Sequence, residues 1–141
     1  MALGYSPIRG GQHQKSLVIS TYQKKIRNFD AKNAYKHILH DYTTPGKDYA
    51  CEGFAGHRRL KSYMHNGYVA AGNGPASNTL EYAYDDWCFA QFAKARGHDS
   101  TYESFLARSK NYRNSYDTSI NYVRQRNADE RLLCVVKPGF V

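Results

Sequence analysis

The stretch from Ser77 to Gly97 constrains this chain more than any other. It reads Ser-Asn-Thr-Leu-Glu-Tyr-Ala-Tyr-Asp-Asp-Trp-Cys-Phe-Ala-Gln-Phe-Ala-Lys-Ala-Arg-Gly, with no internal Gly or Pro. A hydroxyl residue suited to capping, Ser77, follows Pro75-Ala76, and Gly97 can take the left-handed conformation just past a helix end. The span predicts one helix of about five turns. Leu80, Ala83, Tyr84, Trp87 and Gln91 recur at steps of three and four and define one face, while Tyr82, Phe89 and Ala93 extend the apolar surface round a second side. A helix apolar over so much of its circumference packs inside a larger body.

Its polar residues are unusual. Glu81 and Asp85 are four apart and lie one above the other, with Cys88 and Phe92 continuing the line. Asp86 points about 100° away. Like charges at that spacing repel, and on a mostly apolar helix they are also partly desolvated. They are tolerated where a basic side chain, a cation or a hydroxyl-rich ligand comes between them. Pairing with Lys or Arg from a neighbouring helix is one solution, and a ligand-facing stripe is the other.

The 141 residues have the length of a single domain. Tyrosine is heavily used, 13 against 6 Phe and 1 Trp, which suits an interior that buries rings yet lines a wet cleft. A net charge of +8 permits association with nucleic acid. The basic residues are spread along the chain, however, and the densest groups, Lys24-Lys25 with Arg27 and Arg58-Arg59 with Lys61, match no nucleic-acid motif. Cys51, Cys88 and Cys134 have neither the spacing of a zinc site nor the even number of a disulfide framework. His13, His37 and His40 show no well-defined ligand spacing. No apolar run is long enough for a signal peptide or a membrane span.

Before the central helix, Gly4 to Gly11 is rich in turn residues. A helix starts near Gln14 or Ser16, with Val18, Tyr22, Ile26 and Phe29 as its stripe. Asp30 reads as the N-cap of a second helix over about 31–41, with Ala34, Tyr35, Ile38 and Leu39 facing inward. Thr43 to Ser77 is a long Gly- and Pro-marked connection with room for a short helix from His57 to His65, closed by Gly67; connections this long are usually functional. After Gly97, Ser100 and Glu103 form a capping box for a helix whose face is Tyr102, Phe105, Leu106 and Tyr112, running to about Asn114. Tyr116-Asp117 starts a turn, Tyr122-Val123-Arg124 is extended, and Leu132 to Val136 is strand-like. The expected fold is all-α, four or five helices paired around one long loop.

The run Thr79 to Cys88, with Ala90-Gln91, Ala93-Lys94 and Gly97, resembles a motif of glycoside hydrolase family 92, the calcium-dependent exo-α-mannosidases. The uncommon Tyr-Asp-Asp-Trp makes the likeness specific. Gly11-Gln12-His13, Tyr22, Lys24, Ile26, Phe29-Asp30 and Ala34-Tyr35 are similar to the segment that opens on Gly-Asp-His in that family. Tyr63 and Gly67-Tyr68-Val69 resemble its approach to the motif. Arg108-Ser109, Asn111-Tyr112-Arg113-Asn114, Tyr116-Asp117 and Val123-Arg124 resemble its later pieces. The likeness covers about Gly4 to Asp129, so 1–129 is expected to be a fragment of the glycosidase domain and 130–141 an unmatched tail, as a truncated or frameshifted copy would give.

The resemblance implies a partial (α/α)6 toroid, hydrolysis of α-mannosides, mainly α-1,2, and a mannose-containing glycan as partner. It implies calcium as cofactor, with no complete site in this chain, and a family often secreted or periplasmic. It places Gln12, His13, Glu81, Asp85 and Asp86 on the sugar-binding wall. Gln12 stands where the family has an acidic residue, and a neutral amide accepts hydroxyl hydrogen bonds less strongly. No Glu-Gly-Asn or Gly-Asn-Asp/Glu-Asp stretch, the family's acid and base motifs, occurs here. Glu81 and Asp85 do not replace them, because inverting hydrolysis needs carboxyls roughly 6.5–9.5 Å apart on opposite sides of the bond, and residues four apart on a helix approach from one side. The chain alone is therefore expected to lack activity. Two alternatives are a non-catalytic carbohydrate-binding or structural remnant that self-associates through exposed helix faces, and a basic, Tyr-rich nucleic-acid-binding module.

Overall fold

The computed structural model describes residues 13–49 and 53–133. These form five α-helices with two short antiparallel hairpins, so the architecture is mostly helical as the patterning predicts. Helix α1 spans His13–Gln23, α2 Ala31–Thr43, α3 Leu60–Asn66, α4 Ser77–Ala95 and α5 Asp99–Arg108, the last continuing as a 3-10 helix over Ser109–Ser115. Strands β1 (Lys47–Tyr49) and β2 (Gly53–Ala55) pair with Lys47 opposite Ala55, and β3 (Tyr116–Asp117) and β4 (Tyr122–Val123) pair with Tyr116 opposite Val123. Among the described residues no helix is long and apolar enough to cross a membrane.

Helix α4 is the axis of the packing. Phe89, Phe92, Ala90, Ala93 and Cys88 on it meet Ile19 and Tyr22 from α1, Tyr35, Ile38 and Tyr42 from α2, and Phe105 from α5. The rings meet edge-on, with centroids 4.8 Å apart for Phe89 and Phe105 and 4.9 Å for Tyr22 and Phe92, the geometry their quadrupoles favour. A smaller cluster of Leu60, Tyr63, Val69 and Tyr82 seals the other end. The long connection is drawn into the body by its backbone. Val69 N–H donates to Thr79 Oγ1 at 2.9 Å, Ala70 N–H to Ser62 Oγ at 3.1 Å, and Ala71 N–H to the Arg126 carbonyl at 2.8 Å.

Local chemistry explains several boundaries. Asp30 caps α2, its carboxylate accepting from Asn33 N–H at 2.9 Å. Gly67 and Gly97 follow α3 and α4 with φ of 75° and 77°, where a side chain is strained. Removing the α2 cap has a defined cost. Asp30→Ala is expected to lower stability by about 1 kcal/mol, read from the urea midpoint, with Asp30→Ser restoring most of it.

Other expectations are corrected. Ser77 is the first helical residue, not the cap. The first turn of α4 is closed by the Pro75 and Ala76 carbonyls, which accept from Asn78 and Thr79, so no side-chain cap is used. Ser100 likewise lies inside α5, which starts at Asp99 with His98 as an N-cap that makes no side-chain bond. Helix α1 ends at Gln23, and Lys25 turns the backbone to φ 65°, so Ile26 is exposed and the buried stripe is Ser16, Ile19 and Tyr22. The face of α4 carrying Tyr84 and Trp87 is the outer one, with those rings 52% and 49% exposed, while Tyr82, Asp85, Asp86, Phe89 and Phe92 turn inward. Cys88 is buried and reduced, while Cys51, Cys134 and the strand-like end from residue 134 onward lie outside the described residues.

Candidate functional site

The acidic residues of α4 part company. Asp86 faces α5 and α3. Arg108 clamps it with two charge-assisted bonds, Nε to Oδ2 at 2.8 Å and Nη2 to Oδ1 at 2.5 Å, and the Tyr63 hydroxyl donates to Oδ2 at 2.8 Å. Burial raises the Asp86 pKa, against which Arg108 and Tyr63 both act. Arg108 also donates to the Tyr42 carbonyl at 2.9 Å, so one guanidinium ties α2, α4 and α5 together.

Asp85 faces α1. Its Oδ1 accepts from Ser16 Oγ at 3.0 Å, and His13 Nδ1 lies 3.9 Å from the same oxygen. Lys15, one residue before Ser16, reaches Asp41 at 2.5 Å and sits over the Tyr42 ring at 5.1 Å. Burial lowers the Lys15 pKa, with Asp41 and Asp85 opposing it. For Asp41, burial acts upward, but the Lys15 ammonium and His40 together outweigh it and hold the carboxyl below its usual range.

Glu81 lies one turn before Asp85, half-buried, and its Oε2 is enclosed without a hydrogen-bond partner among the described residues. An acceptor in that state is costly unless a donor reaches it. The stripe thus presents an unpaired carboxylate oxygen at Glu81 and a His13–Asp85 contact one turn further on. His13 is the first residue of α1, its side chain 44% exposed and its ring 6.4 Å from Tyr84. Gln12 lies outside the described residues. The structure brings His13 and Asp85 together and turns Asp86 the other way. Ser16, Tyr63 and Arg108, which hold the acids, were not singled out for that role from the sequence; the signal was the rule that a buried carboxylate needs a donor, without the address of that donor. Among the described residues no group of three or more His, Cys, Asp or Glu side chains converges as a metal site would require.

This mostly helical body matches a known glycosidase domain. A model of the Glycosyl hydrolase family 92 catalytic domain matches residues 1–137, and the chain belongs to that family. It superposes on the family 92 inverting mannosidase of Bacteroides thetaiotaomicron with a TM-score of 0.82 and 27% identity, over 95% of this chain and 18% of that one. A family 92 α-mannosidase of the same organism, solved in complex with mannoimidazole, matches with a TM-score of 0.78 and 30% identity over 94% of this chain and 16% of that one. An uncharacterized secreted glycosidase of Arthroderma benhamiae is 29% identical over 119 residues, 77% of this chain and 15% of the relative. The chain therefore spans between 15% and 18% of the length of these relatives.

Proposed function

We propose that these residues form part of the sugar-binding wall of an α-mannosidase-type catalytic domain, a slice of its helical toroid, acting on mannose-containing glycans with α-1,2 linkages foremost. The observation that carries the wall is the half-buried Glu81 carboxylate one turn from the His13–Asp85 contact, where the His13 side chain is 44% exposed. Sugar hydroxyls are donors that a carboxylate takes, and His13 supplies a ring nitrogen for a further bond. Gln12 adjoins His13 in sequence and joins the wall with it. Asp85 and Asp86, each at most 2% exposed, act from beneath as positioning groups that fix α4 against α1 and α5.

The same reading assigns the segment no catalysis of its own, since the acid and base motifs of the family are absent from it. The family's calcium, on this reading, is held by residues outside the segment: Asp86 is engaged by Arg108 and Asp85 by Ser16, on different neighbouring helices, so the two carboxylates do not converge on one ion. Titration with α-1,2-mannobiose, followed by NMR, should shift the signals of His13 and Glu81, and Glu81→Ala should abolish the shifts. Release of mannose by this chain would overturn the inactive reading. An unresponsive spectrum at millimolar sugar would overturn the binding one.

Self-association belongs to this proposal as well. Tyr84 and Trp87, three apart on the outer face of α4, lie exposed, as does Leu17 on α1. A large apolar face left in water invites a partner, and in the much longer relatives further parts of the domain are available to cover it. The isolated chain should elute above its monomer mass, and Trp87→Glu should move it toward the monomer by a readily resolved volume. A monomeric wild type at tens of micromolar would count against it.

A further inference from the structure

Behind the acidic stripe, Tyr42, His57, Tyr82, Asp85 and Asp86 line a small cavity together with Arg108. We propose that this cavity is a binding site for one internal water molecule, held by the Tyr42 hydroxyl, the His57 ring and the Asp85 carboxylate. His57 is 2% exposed and Tyr42 1%, yet among the described residues neither His57 nitrogen nor the Tyr42 hydroxyl has a hydrogen-bond partner. The two rings lie 5.1 Å apart, and the edge of His57 also meets Tyr82 at 4.7 Å. Three polar atoms enclosed in this way are strongly disfavoured unless something bonds to them.

Size and charge select the ligand. The cavity offers about 10 Å³ to the centre of a water molecule, close to the roughly 10–15 Å³ that one water needs and too small for an organic group. An anion would face Asp85 and Asp86. A cation would meet the Arg108 guanidinium and, on the α1 side, the Lys15 ammonium, both of which act on His57. Asp86 is already neutralised by Arg108. A neutral molecule with two donors and two acceptors meets the need: it accepts from Tyr42 Oη–H or from the protonated nitrogen of His57, and donates to the other His57 nitrogen or to Asp85. Burial and the nearby cations hold the His57 pKa down to about 3, so the ring is neutral and offers one donor and one acceptor. The water thereby links the residues leading into α3 to the acidic stripe of α4.

Two measurements decide it. Diffraction from the wild-type chain should show one peak at hydrogen-bond distance from Tyr42 Oη and a His57 nitrogen. Tyr42→Phe removes the hydroxyl and adds no volume. With the water bound, the folded-to-unfolded ratio should fall about five- to tenfold, as the loss of one buried hydrogen bond predicts. An unchanged or higher ratio would mean that the hydroxyl was an unpaired burden in a dry pocket, and would overturn the proposal. So would a cavity without density, or a peak at metal-ligand distance from Asp85, whatever the variant does.

Discussion

Arg108→Ala is expected to destabilise the chain by about 3–5 kcal/mol, the cost of stranding one member of a buried ion pair. Asp86 is 2% exposed, and among the described residues the three side-chain donors that serve it come from Arg108 and Tyr63. Without the guanidinium its carboxylate keeps a single hydroxyl donor in a site from which water is largely excluded. The same substitution removes the bond to the Tyr42 carbonyl and uncovers the Phe105 ring, over which the guanidinium lies at 4.3 Å. Against a typical domain stability of about 5–15 kcal/mol, the loss removes a large share of what holds the fold and lowers the urea midpoint accordingly. Arg108→Lys should recover only part of it, since an ammonium cannot reproduce the two-pronged geometry. Asp86→Asn in the Arg108→Ala background should also recover part, because the charge that lost its partner is then gone. Urea denaturation followed by helical circular dichroism measures all three. An Arg108→Ala midpoint within about 1 kcal/mol of wild type would show that the pair does not hold α5 to α4.

What the sequence disclosed and what it hid divide along physical lines. Asp30 and the glycines at 67 and 97 act on their own neighbours, so their roles as cap and helix stops could be read from a few residues each. Ser77 and Ser100 carry the same local signal and do not cap, because the chain before each helix closes the first turn with its own carbonyls. Helix α4 was legible as the packed centre but not as to which side faces in. Both sides are apolar, and Tyr84 and Trp87 are as suited to a core as Tyr82 and Phe89. The deciding groups are polar: Asp85 and Asp86 turn inward because Ser16 and Arg108, 69 and 22 residues away, meet them there. No periodicity reports a partner at that separation. Family membership, by contrast, was carried by an ordered run of uncommon residues that survives whichever face is buried.

Acid should unfold this chain through His57, and the sign follows from its burial. Its pKa is held down to about 3 by burial first, then by Lys15, with Asp41 opposing and Arg108 adding to the effect, against 6.5 for an ordinary histidine. Above the ordinary value the ring is neutral in both states and has no effect on pH dependence. As the pH falls through 6.5 the unfolded chain takes up a proton that the folded chain refuses, so stability drops, and it goes on dropping until the folded pKa is reached. The slope approaches ~1.4 kcal/mol per pH unit, so between about pH 6.5 and 4.5 the loss amounts to roughly 2–3 kcal/mol. Other carboxylates act elsewhere on the scale. Asp41, held below its usual 3.8, contributes stability lost only as the pH falls beneath that range. Asp86, raised by burial, gains from protonation and works in the opposite direction. The comparison that isolates His57 is therefore the difference between wild type and His57→Gln, each measured by urea denaturation across that window. The glutamine keeps polar atoms near the Tyr42 ring but has no titration there, so its profile should be flatter than wild type by that slope. Parallel profiles would mean that the imidazole is protonated inside the fold, with the nearby carboxylates outweighing its burial and the Lys15 and Arg108 charges.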